Sequence, residues 1–531
     1  MKKITNIIWL FSFLIIFSNC DDAIIDLDER DRLPASQAVA SIDGLNSLML
    51  QVYERARSIH ENNEICLYKQ CGTDIVTAGT HLLDVADGGM EAMMLYTSNL
   101  SPLSPQIEDI FNGLIESITA CNTVIQYGGN FVPSTDTQAE EVDFIIGQAY
   151  ALRAYVYMEM VVRWENVVII PNRLEPGEEI RYDVELSTSE EVLPLIVEDC
   201  ENAIALLPKR STGLGVGDAS QGLAYHLLSK AYMLMGDYGA AASAAESVIA
   251  DGSYTLQPLD YIFGLDGGKQ GEESNEEIIL SWVFNPAISN RPQRTMQQYV
   301  PLYRLVDGLT TALDQGGRPW SRLSPSEYYW TLFEEEDGRL DAWHKRVWYY
   351  NDEDNLPAGK SLGDPATYED LVAQFGADAG RPLRYLDPTI NKLFEDGTYN
   401  REVNDAEGFR NIIVYRLSEA YIIAAEAHLR NGNDARALEL INTVRERAYG
   451  NSDHNFTSID MDKIIDEHAR ELGHEGLRWA FMKRQGLLVE RANMYAKDAD
   501  SNPIYMKDYH LRWPIPQAFI DLTGVQQNPG Y

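Results

Sequence analysis

Residues 220–250 read SQGLAYHLLSKAYMLMGDYGAAASAAESVIA, and this stretch decides the fold class. Ser220 to Met235 contains no proline, and its one glycine, Gly222, lies in the first turn. Gly236-Asp237-Tyr238 is a tight turn, and Gly239 to Ala250 is a second helical run. Ala241, Ala245 and Val248 recur at helical spacing. Side chains this small let two antiparallel helices approach closely. The stretch predicts a helical hairpin.

The first helix has a telling spacing. Tyr225, Leu228, Ser229 and Tyr232 fill the places of the aromatic, Leu, small and Tyr positions of a tetratricopeptide helix, which the pair resembles. A second unit follows far downstream. Tyr421, Ala424, Ala425 and His428 precede the turn Gly432-Asn433-Asp434, and Ala437, Ile441 and Val444 follow it. The separation predicts no tandem solenoid but helical pairs interrupted by a long insertion. Asp143 to Val162 adds a helix with a broad apolar face that includes Phe144, Leu152 and Tyr155. Ser187-Thr188-Ser189-Glu190-Glu191 reads as a capped helix start, with the helix ending before Pro208 and the glycine-rich loop 209–217 after it. The expected fold is mainly α: a tetratricopeptide-like helical-pair scaffold with a loop-rich, aromatic-rich insertion.

The insertion, about 255–410, has weak helical periodicity and frequent Gly, Pro and Asp. Ile278 to Trp282 reads as a short strand. Long loops on a rigid scaffold are where binding residues concentrate. A sugar ring lays its C–H face on an aromatic face while its hydroxyls seek polar side chains. The candidate ligand contacts are Tyr96, Trp282, Trp320, Tyr328, Tyr329 and Trp330, each with core packing as the competing role. Asp84, Asp87, Met90, Met93 and Met94 belong to the neighbouring 80–96 segment, where the methionines equally suit helix packing.

The N-terminus sets the compartment. Lys2 and Lys3 precede the apolar run Ile7–Phe17, and Ser18-Asn19-Cys20 closes it. This pattern describes an export signal, residues 1–19, and the run is too short to span a bilayer. Its ending resembles a bacterial lipoprotein signal with Cys20 as the lipidated residue; Asn19 departs from the usual small residue there. Residues 20–35 form an acidic tether, or a surface-sorting signal of the kind it resembles in Bacteroidota lipoproteins. The formal charge of −38, from 43 basic and 81 acidic residues, disfavours nucleic acid as a partner. Cys66 and Cys71 have a spacing that permits a disulfide in an oxidising compartment, with buried free thiols as the alternative. Zinc would need two further ligands nearby, and Asn351-Asp352-Glu353-Asp354 lacks the spacing of a calcium loop. No G-x-S-x-G, H-E-x-x-H or G-x-x-x-x-G-K-[ST] motif occurs, and no cofactor is expected.

Several motifs, in order along the chain, resemble those of the SusD/RagB lipoproteins. They are Gln148–Tyr155, Glu191–Pro208, Tyr415–Ala427, Ile441–Ala448, Glu467–Arg478, Pro514-Ile515-Pro516 and the ending Gln527-Asn528-Pro529-Gly530-Tyr531. Met482–Gly486 departs from the family's D-L-x-R-W-G: Arg484 and Gly486 remain, the acid and tryptophan do not. The resemblance implies an N-terminal region 36–254 and a C-terminal region 255–531. It implies a non-catalytic lipoprotein on the outer face of the outer membrane. Such a protein binds a glycan, or in some relatives a peptide, beside a SusC-like TonB-dependent transporter. Arg153, Arg416, Glu419, Glu426, Arg445, Glu471, Glu475 and Arg478 are read as helix residues forming buried ion pairs rather than ligand contacts.

Overall fold

Local signals start and stop the main helices. In the computed structural model, residues 41–82, 89–170, 184–263, 275–287, 291–376, 384–395 and 402–531 are described. The export signal, Cys20, the acidic tether, Asp84 and Asp87 lie outside them. The long N-terminal helices are α1 (Ile42–Ser58), α2 (Pro105–Gly129), α3 (Asp136–Trp164), α4 (Ser189–Leu206), α5 (Gln221–Met235) and α6 (Tyr238–Ile249). Downstream come α7 (Leu417–Arg430), α8 (Asp434–Tyr449) and α9 (Met461–Leu472). The hydroxyls of Thr135 and Ser220 accept from the backbone N–H groups of Gln138 and Leu223, capping α3 and α5. At α4 the Glu191 carboxylate reaches back to the Thr188 N–H at 2.8 Å, as the sequence signature predicts. Gly236, at φ +75°, ends α5 in a left-handed turn that glycine adopts without steric cost.

The helices from α2 to α6 pack each against the next, with α1 across α2 and α3. The two helical pairs that the insertion separates along the chain adjoin in space. Helix α6 packs directly against α7, so the downstream pair continues the same stack although residues 250–416 intervene. Glu246 of α6 cross-links the junction, accepting from His428 Nε2 at 3.1 Å and Arg436 Nε at 2.7 Å. Ala241, Ala242 and Ala245 are buried in α6, as close helix packing requires.

The insertion is looped out of this stack from a two-stranded root. The strands are β1 (Val76–Ala78), β2 (Ile278–Trp282), β3 (Leu323–Pro325), β4 (His344–Lys345), β5 (Thr389–Ile390) and β6 (Ile412–Arg416). They pair antiparallel as β1–β3, β2–β6 and β4–β5. The β2–β6 ladder brings the two ends of the insertion together. A small core of its own holds Tyr303, Val306, Trp348, Tyr350, Leu371 and Phe394.

Buried ion pairs tie insertion to scaffold. Arg416 Nη1 lies 2.7 Å from Glu277 and 2.6 Å from Glu471, and its Nε lies 2.7 Å from Glu475. Arg416 is the last residue of β6 rather than a helix residue. Arg339, from the insertion, bonds Asp337, Glu467 and Glu471. The other expected pairs form too: Arg153 with Asp199, Glu419 with Lys230, Glu426 with Arg484, Arg445 with Glu467 and Arg478 with Asp74. Burial alone would raise Asp74, but Arg478 and Arg491 hold it below the usual carboxylate range. Cys66 and Cys71 are buried free thiols, not a disulfide, and burial pushes the Cys66 thiol up to about 12. No helix among the described residues is long and apolar enough to cross a membrane.

Candidate functional site

The site begins where the β1–β3 ladder runs out. Ala78 pairs with Leu323, and the pairing continues as the Gly79 N–H donates to Arg322 O and the His81 N–H to Ser321 O, both at 2.8 Å. The approach is so close that a Cβ at Gly79 would stand 2.3 Å from Ser321 O. Ser321 itself has φ +51°, a conformation that costs a non-glycine residue about 1–3 kcal/mol. Held this way, the backbone presents Trp320 at the end of the ladder, with its N–H on Gln297 O.

The Trp320 indole is half-buried, with two cations over its ring. The Arg318 and Arg322 guanidinium carbons stand 5.2 and 5.3 Å from its ring centroid. Arg322 is fixed from behind by Glu64 at 2.6 Å and Asn63 O at 2.8 Å. The buried Trp320 Nε1–H has no acceptor among the described residues, a cost of roughly 1–3 kcal/mol that the fold accepts at this position. Arg384 braces the same edge, donating to Ala78 O at 2.9 Å and Ser501 Oγ at 2.7 Å. A half-exposed indole beside the half-exposed Arg318 suits a ring with an apolar C–H edge and an oxygen-rich rim.

Two further sequence candidates are partly exposed. Tyr328 stacks on Tyr495 with centroids 4.1 Å apart, and its hydroxyl bonds Asp466 and Arg491. Its polar end is therefore committed. Trp330 packs edge-on against Tyr329 and His344.

The remaining candidates are core side chains, and this corrects the sequence reading. Tyr329 is fully buried, with its hydroxyl 3.0 Å from His344 Nε2. Tyr96 is buried, donating to Gly72 O at 2.8 Å and accepting from Trp479 Nε1 at 3.1 Å. Trp282 is 2% exposed and packs edge-on against Tyr155, only its border reaching an open cleft beside α1. Met90, Met93 and Met94 are buried helix-packing residues. Large rings satisfy core and ligand roles alike, so residue type could not separate them. Sequence reasoning missed Gly79, Ser321 and Arg318; the first two matter through backbone geometry, which no side-chain pattern announces.

The family model for the SusD family matches residues 283–531, and the model described as starch-binding associating with outer membrane matches residues 47–233. The chain belongs to the SusD/RagB family. SusD-like protein P38 of Formosa agariphila is 23% identical over the full length of both chains. A SusD homologue of Bacteroides thetaiotaomicron superposes with a TM-score of 0.76 at 20% identity, covering 95% of this chain and 100% of that one. The surface glycan-binding protein A of the same organism, solved in complex with laminarihexaose, superposes with a TM-score of 0.69 at 20% identity, covering 92% and 99%. These likenesses show that the mainly α SusD-like fold is shared.

Proposed function

We propose that this SusD-like chain is a glycan-binding lipoprotein of the cell surface, anchored in the outer membrane through Cys20 and facing outward. It captures an oligo- or polysaccharide and passes it, unhydrolysed, to a SusC-like TonB-dependent transporter. The observation that carries the reading is Trp320: a half-exposed indole with two arginines over its ring, held by a strained, glycine-dependent backbone. Two of the comparisons support it, through the starch-binding description of the N-terminal family model and the laminarihexaose complex of a structural neighbour. The lipid confines the binding module to the plane of its transporter and so raises their effective concentration.

Isothermal titration and affinity electrophoresis with starch and laminarin test the reading. Trp320→Ala is expected to weaken binding at least tenfold, about 1.4 kcal/mol or more, while the melting temperature holds. Gly79→Ala, which forces the backbone away from Ser321, is expected to weaken binding without touching the ligand. No binding of either glycan by the native protein, or release of shortened sugars by it, would overturn the reading; unchanged affinity in Trp320→Ala would remove the Trp320 surface from it.

A further inference from the structure

A cleft whose lining does not include Trp320 has the glycine-rich loop 209–217 as one wall. It is a cleft of about 770 Å³, within the range of about 300–1,000 Å³ typical of ligand sites. Opposite the loop stands one face of α1. Asn46, Met49, Leu50, Tyr53, Glu54 and Arg57 line the cleft at spacings that put all six on the same side of the helix. Phe144 and Gln148 of α3, one turn apart, and the chain leaving β2 close the remaining sides.

The walls are fixed before anything binds. The Ser281 N–H donates to Val216 O at 2.8 Å, pinning the glycine loop to β2. A Cβ at Gly217 would stand 2.7 Å from Val283 Cγ2, so the loop sits as close as glycine permits. The Tyr53 hydroxyl donates to Gln148 Oε1 at 2.8 Å and accepts from the Ala219 N–H at 2.9 Å, joining α1, α3 and the loop. Leu50, 68% exposed, stands on the α1 wall.

The lining chemistry selects the occupant. Of the charges bordering the cleft, Glu54 pairs with Arg291 at 2.8 Å and Arg57 with Glu61 at 3.5 Å, while the Asp218 carboxylate accepts the Gly215 N–H at 2.8 Å and adds an acceptor for hydroxyls that disfavours anions. The carboxamides of Asn46 and of Asn285, whose Oδ1 accepts the Ala287 N–H at 2.9 Å, stand at the border, with Phe144 and Met49 as apolar surface between the walls. Neutral hydrogen-bonding groups around an apolar floor match hydroxyl-rich rings that carry no charge.

We propose that this cleft is a second ligand site, taking a segment of a neutral oligosaccharide independently of the Trp320 surface. The proposal rests on the glycan reading above but on different residues. The test is titration of the full-length mature protein with maltohexaose and with laminarihexaose, read by calorimetry and tryptophan fluorescence. In Trp320→Ala protein, a residual binding event with at least one hexaose is expected. Leu50→Trp, which fills the cleft from an exposed helix position, is expected to weaken that event at least tenfold. Asn285→Ala is expected to weaken it several-fold, and circular dichroism should show native helix content in both variants. No residual event with either hexaose, or one that Leu50→Trp and Asn285→Ala leave unchanged, overturns the second site. Binding that depends on Leu50 but not on Trp320 would instead remove the Trp320 surface from the glycan reading and keep the cleft.

Discussion

Between Pro105 and Ile249 the chain is organised by near neighbours; between residues 255 and 410 it is organised by distant ones. In the first region, cap hydroxyls, a capping carboxylate and a left-handed glycine define helices that pack in sequence order. In the second, regular elements are short, and the segment is held by three two-stranded ladders, a small separate core and buried ion pairs to α9 and β6. The contrast teaches where binding surfaces are affordable. A self-supporting helical stack tolerates a long excursion whose shape is set by contacts at its root and along its flank. The strained Ser321 lies on that excursion, against Gly79 of the chain that follows β1.

The largest expected effect comes from cutting the ionic root. Arg416→Ala would remove the cation that Glu277, Glu471 and Glu475 share, leaving Arg447, Arg339 and Lys392 as their remaining partners, and breaking a buried pair costs about 3–5 kcal/mol. The denaturation midpoint should fall sharply, and limited proteolysis should open the insertion before the α2–α6 stack. Simultaneous loss of both regions would mean that they unfold as one unit.

An intermediate effect is expected from pH. Burial, reinforced by Lys392 and Arg339, lowers His344 to about 3, and burial with Lys69 lowers His60 to about 3. Both rings stay neutral in the fold while the unfolded chain takes up protons below its ordinary value of about 6.5. The unfolded state therefore binds more protons between those values, and stability falls as pH drops from 6.5 towards 3. At pH 5 each ring should cost roughly 2 kcal/mol relative to pH 7. Urea titrations at the two pH values check this, and His344→Gln should flatten the dependence by the insertion's share.

The smallest effect belongs to the stack itself. Gly236→Ala places a Cβ on a residue at φ +75°, with no atom within 4 Å to clash, so only backbone strain remains. The cost should be about 1–2 kcal/mol, seen as a modest shift in melting temperature with ligand binding intact. A loss of binding in this variant would show that the stack and the insertion are coupled more tightly than their contacts suggest.

The helices, their caps and their ends were legible in the sequence because each depends on residues within one or two turns. Thr188 and Glu191 meet because they are three residues apart, and Gly236 turns the chain because it lacks a Cβ. The strand Ile278–Trp282 was legible from its own residues, but its partner Ile412–Arg416 was not, since pairing is a long-range choice. For the same reason the sequence separated the two tetratricopeptide-like pairs that space unites through Glu246. The collinear motifs determined the family. Tertiary structure decided which aromatic rings are core and which are surface, sending Tyr96, Tyr329 and most of Trp282 inward and leaving Trp320 half-exposed. The physical reason is that burial depends on what packs against a side chain. For Trp320 the backbone is held by Gln297 and the ring is covered by an arginine anchored by Glu64, and no local pattern brings them together.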